Sequence, residues 1–179
     1  MKSFSCAWGF VLQIVALCVA SPALAEVVDI TLLHLNDIYE IAPVEGGKRG
    51  GLARVATLRQ ELLSQNPRTY TILAGDAFSP SALGTAKVDG KPLAGKQMVA
   101  VMNAVGFDYA TFGNHEFDLS EPEFLQRLQE SQFEWISSNL RDRKGKSFLD
   151  VVESQILNVK SDKGKIIRVG LIGLTIDSN

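Results

Sequence analysis

Six residues, Gly113-Asn114-His115-Glu116-Phe117-Asp118, gather an amide, an imidazole and two carboxylates into one short segment. A largely apolar run at 107–112 leads into them, so the polar groups are expected where a buried strand opens into a loop. Ligand sites in α/β proteins are commonly built at the carboxyl ends of strands. Two earlier segments repeat the layout: residues 30–36 lead into Asp37, and 71–74 lead into Gly75-Asp76. Three strand ends, each delivering a hard oxygen or nitrogen donor, imply one shared metal site. Two aspartates packed together without a cation repel, and at least one resists ionising. Divalent metals remove that conflict, and a pair of them can share a bridging carboxylate and polarise a phosphoryl oxygen. Asp76, set in a glycine-flanked turn, is the expected bridge, and Asn114 offers a neutral oxygen to a second metal. His115 suits a cation or proton donor at the phosphoryl group, with Asp118 orienting its ring.

Each residue also has a plainer reading. A strand-ending aspartate is often a turn former, Asn114 alone a turn residue, and His115 alone a hydrogen-bonded structural histidine. Glu116 reads as structural, or as a support behind the ligands. His34, with leucine on both sides, reads as a core or sheet histidine. The combination is what favours a metal. One apparent motif fails: Gly90 to Gln97 approximates a nucleotide-phosphate loop, but Gln97 stands where a Ser or Thr belongs and no buried strand precedes Gly90.

The elements that must position these groups follow from periodicity and punctuation. Strands are expected over residues 27–35, 70–74, 107–112 and 133–137. Helices are expected over Leu52–Gln65 and Lys96–Val105, with Gly106 as a stop, and from a capping box at Ser120-Glu121-Pro122-Glu123 to about Glu130. A polar loop is expected over 85–95. Two further strands, 151–159 and 166–174, flank the turn cluster Ser161-Asp162-Lys163-Gly164 and read as a hairpin. Strands alternating with helices predict a mainly parallel α/β sheet.

The chain has 179 residues, 46% apolar content and a formal charge of −2. Its start reads as a secretory signal: Lys2, a mostly apolar stretch, then Ser21-Pro22-Ala23-Leu24-Ala25 with cleavage after Ala25. Export to a periplasm or the cell exterior is therefore expected, with no stable membrane anchor afterwards. Both cysteines, Cys6 and Cys18, lie in that segment, so the remainder has no internal disulfide. Removing it takes away one positive charge, and the resulting acidity gives no electrostatic case for nucleic-acid binding.

The chain resembles the N-terminal half of secreted 5′-nucleotidases, within the calcineurin-like metallophosphoesterases. The matching segments are Leu32-Leu33-His34-Leu35-Asn36-Asp37, Gly50-Gly51-Leu52-Ala53-Arg54-Val55-Ala56-Thr57, Ala74-Gly75-Asp76, and Gly113 through Asp118. The resemblance implies the N-terminal half of a four-layer α-β-β-α sandwich, with residues 26–179 as a partial metallophosphoesterase domain. It implies metal-assisted hydrolysis of phosphate esters, 5′-nucleotides among them, by a water activated on two divalent ions such as zinc or manganese. Asp37 would bind the first metal, Asp76 would bridge and Asn114 would bind the second. His115 would stabilise charge on the phosphoryl group, and Asp118 would hold His115. Substrate-contacting residues and oligomeric state stay open.

Two departures qualify this. Many members carry a histidine two residues after the first aspartate, where this chain has Tyr39. The family also takes histidine ligands from its second half, whereas His34 and His115 are the only histidines here. The metal site is therefore expected to be incomplete and the chain to be a fragment of a longer enzyme. The alternatives are a non-catalytic fragment or binding module, and a half-enzyme completed by a partner chain.

Overall fold

The structure, a computed structural model, describes residues 26–176. The expected signal segment, 1–25, lies outside the described residues. Strand β1 (Thr31–Leu35) runs to Asp37, and helix α1 (Leu52–Gln65) returns the chain to β2 (Thr69–Ala74). A small hairpin of β3 (Lys87–Val88) and β4 (Lys91–Pro92) precedes α2 (Lys96–Val105) and β5 (Tyr109–Thr111). A short 3-10 turn, His115–Asp118, leads into α3 (Glu121–Glu130) and β6 (Glu134–Trp135). The antiparallel pair β7 (Ser154–Lys160) and β8 (Ile166–Ile172) follows.

The four strands β1-β2-β5-β6 form one parallel sheet in that order. Each is added on the same side of its predecessor through a helical crossover. Such crossovers are right-handed, so all three helices fall on one face. The register agrees with this. Thr69, Thr71, Leu73, Ala110 and Trp135 face the helices and are buried, with Met98, Val99, Met102 and Phe124 packed in the same core. Phe112 stacks flat on Trp135, with ring centroids 4.6 Å apart and an interplanar angle of 5°.

The helix boundaries follow local chemistry. Gly95 and Gly106 bracket α2 in left-handed backbone, and the Gly106 N–H closes on the Met102 carbonyl. Ser120 and Glu123 form the capping box of α3, with Pro122 in its first turn. Strands β1, β5 and β6 are shorter than the runs that announced them, whereas β2 begins one residue earlier, at Thr69. Past the ladder the chain enters the loops that carry the polar groups.

One expectation is corrected: the 85–95 segment is not all loop, since β3 and β4 pair within it. Of the two readings left open for His34, core or sheet, the sheet holds: it lies on the face away from the helices and is exposed, beside Leu32 at 52%. The β7–β8 hairpin reaches only part of that face. Leu171 and Gly173 line a cavity with His34, Ile72 and Tyr109, and Gln155 donates to Glu134 at 2.7 Å.

Candidate functional site

The carboxyl ends of β1, β2 and β5 converge because their ladder continues past the strands. The Asp37 N–H donates to the Gly75 carbonyl at 3.1 Å, which makes the two strand-end aspartates neighbours. Both turn sharply where they leave the sheet, Asp37 at φ 54° and Asp76 at φ 63°. Aspartate is among the few non-glycine residues that enter this left-handed region. Such conformations concentrate at functional sites.

Asp37 is exposed, and both of its oxygens are engaged. Tyr39 O–H donates to Oδ1 at 2.7 Å, and Asn36 Nδ2 donates to Oδ2. These two donors hold its carboxyl below the usual aspartate range, Tyr39 contributing most. Burial pushes the Tyr39 phenol strongly upward, and the hydrogen bond to Asp37 adds to this. Tyr39 is therefore placed as a hydrogen-bond donor to the aspartate.

Asp76 Oδ1 accepts the backbone N–H of His115 at 2.9 Å. Asn114 begins the 3-10 turn, and its carbonyl accepts the Phe117 N–H at 3.2 Å. The His115 ring lies edge-on to Tyr39, with centroids 6.1 Å apart. Its Nδ1 is 2.8 Å from Asp118 Oδ2, which leaves Nε2 as the nitrogen that can face a reactant. The Asp118 hydrogen bond raises the imidazole above its ordinary value. The charges of Asp118, Asp76 and Glu116 push the same way.

Glu116 has a sharper placement than its sequence reading. It is fully buried, and its carboxylate accepts three backbone N–H groups: Ala77 at 2.6 Å, Asp76 at 2.8 Å and Gly113 at 2.7 Å. Burial pushes its carboxyl up, against the pull of those donors. Asn36 was not singled out from sequence, and its only signal was an amide next to the first aspartate.

The donor chemistry fits a hard divalent cation in part. Asp37, Asp76 and Asn114 lie just past three adjacent strand ends and carry the side-chain oxygens such an ion would need. Among the described residues no group of three or more His, Cys, Asp or Glu side chains is arranged as a metal cluster. A groove of about 900 Å³ lies elsewhere, beside Arg141, Arg143, Lys144 and Phe148.

A family model described as calcineurin-like phosphoesterase matches residues 30–171. A snake venom 5′-nucleotidase of Gloydius brevicauda is 31% identical over 88% of this chain and 27% of its own length. An NAD 5′-nucleotidase of Haemophilus influenzae is 27% identical over 92% of this chain and 28% of its own. Among solved structures, a 5′-nucleotidase precursor of Thermus thermophilus superposes with a TM-score of 0.65 at 26% identity, covering 82% of this chain and 28% of that one. The chain thus spans little more than a quarter of the length of these relatives.

Proposed function

The chain belongs to the calcineurin-like phosphoesterase family, and from that membership we propose that it carries the N-terminal part of an exported, metal-dependent phosphatase acting on 5′-nucleotides. The observation that carries the proposal is the convergence of Asp37, Asp76 and the Asn114-His115 turn at three neighbouring strand ends. Asp37 and Asn114 would each hold one divalent ion, and Asp76 would be shared between them. The bound ions would supply positive charge to the phosphoryl oxygens and acidify a coordinated water. His115, oriented through Nδ1 by Asp118, would present Nε2 to the phosphoryl group and stabilise the charge that develops there. Its raised proton affinity favours the charged imidazole for that task.

The choice of 5′-nucleotide rests on the names of the relatives, as does export, which agrees with the signal read at residues 1–25. The remaining ligands of a dinuclear site would come from the part of the relatives' length that this chain does not span. That view is preferred to a free-standing enzyme because the other histidine in the chain, His34, is exposed on the face of β1 away from the helices.

The test is hydrolysis of adenosine 5′-monophosphate with added Mn²⁺ or Zn²⁺ by the polypeptide that carries this segment. Asp76→Asn should lower kcat/KM by more than about 100-fold, since the shared ligand contributes several kcal/mol. Activity unchanged by Asp76→Asn, or by chelation, would remove the metal reading.

A further inference from the structure

We propose that Glu116 is the positioning residue of this site: its buried carboxylate clamps the Asp76 turn to the Gly113-Asn114 turn and so sets where the metal-facing groups stand. The inference rests on the metal reading given above and extends it to a residue that faces no ligand.

The two turns belong to different strands, β2 and β5, whose ladder ends at Ala74 and Thr111. Beyond those residues the strands no longer hold each other. Glu116 takes over that task. Its Oε2 accepts the N–H of Asp76 and the N–H of Gly113, one from each turn, and its Oε1 accepts the N–H of Ala77. A carboxylate is the one common side chain that can accept three such bonds without offering a donor.

The stitch is tight because no side chains separate the turns. A Cβ on Gly75 would strike the Gly113 backbone, and a Cβ on Gly113 would strike the Asp76 carboxylate. The Asp76 side chain is fixed by the same loop, through the His115 N–H. Both the backbone and the carboxylate of Asp76 are therefore held by residues 113–116. Residues that support metal ligands typically alter metal affinity 10–100-fold when changed.

Glu116→Gln keeps the shape but turns an N–H₂ toward backbone donors. Two measurements on the polypeptide that carries this segment decide the matter. Titration with Mn²⁺ followed by electron paramagnetic resonance should show affinity falling 10–100-fold in Glu116→Gln, with the surface variant Glu121→Gln unchanged. Amide hydrogen exchange should accelerate at Asp76, Ala77, Gly113 and His115 while the β1–β2 amides keep their protection. The His115 amide is the informative one, because Glu116 does not touch it. Mn²⁺ affinity within twofold of wild type overturns the proposal, as does uniform loss of protection across the sheet, which marks a stability effect. If the wild-type polypeptide that carries this segment takes up no Mn²⁺, the metal reading fails by itself. The exchange pattern then decides Glu116 alone, with confined loss supporting the clamp and uniform loss overturning it.

Discussion

At the scale of single residues, His115 and Asp118 make a pair whose titration can be followed directly. The imidazole is raised above its ordinary value mainly by the hydrogen bond to Asp118. The sign follows from linkage. A raised folded-state value means the fold favours the protonated form, so the pair's contribution is present below the ordinary histidine value and is lost as pH rises through the raised one. Asp118→Asn removes the acceptor charge while leaving a group of similar size. Two-dimensional NMR of the His115 ring should place its midpoint above about 6.5 in the wild type, and Asp118→Asn should bring it down toward that value. A midpoint that does not move would mean the pair is not formed in solution. The same scale explains what the sequence concealed. Asn, His and Asp in one short motif advertise chemistry by type, and the fold sets the His115 N–H against the Asp76 carboxylate. Glu116 was legible only as structural or as a support behind the ligands, because what a carboxylate bonded to backbone holds together shows only once the two turns are seen touching. Tyr39 looked like a lost ligand, whereas its hydrogen bond makes it a partner of Asp37.

At the scale of elements, the helices were legible to the residue, since their limits are written in glycine, proline and a capping box. The four parallel strands and the C-terminal hairpin were legible in place but not in length, and the β3–β4 pair was missed. Apolar character persists past the ladder into Phe112, which leaves the strand and packs on Trp135. Of the two readings left open for His34, core or sheet, the sheet holds: leucines on both sides suggest burial, but a strand alternates regardless. What fixes the site is the approach of the β2 and β5 turns, and it can be tested by filling the space between them. Gly75 and Gly145 both have positive φ, 88° and 75°. A Cβ at Gly145 meets nothing, whereas one at Gly75 strikes the Gly113 backbone. Gly145→Ala should cost only the left-handed backbone, about 1–2 kcal/mol. Gly75→Ala should cost at least about 1 kcal/mol more, typical of overpacking, as measured by urea denaturation. Equal losses would mean that the turns are not in close contact.

At the scale of the whole molecule, the helices close one face of the parallel sheet, and the hairpin covers only part of the other. Leu32 remains 52% exposed on the open side, and the end of β8 carries Ile172 at 69% and Leu174 at 61%. The four-layer sandwich implied by the resemblance would set a second sheet against such a face, and the chain spans only 27% of its venom relative. Large apolar side chains left in water in this way favour association. Residues 26–179 purified alone should therefore bind an apolar dye and show concentration-dependent mass in sedimentation. Burying a Leu or Ile side chain contributes about 1.5–3 kcal/mol. Replacing Ile172 and Leu174 together by lysine should therefore weaken self-association by at least about tenfold. Both side chains already face solvent, so folding stability should change little, by about 0.5 kcal/mol or less. The pairing of those two results carries the argument. Lower association with unchanged stability marks a surface awaiting a cover, and lower stability would mean that these side chains already pack within the fold. A monomer at every concentration with no dye uptake would mean that the hairpin alone closes the sheet.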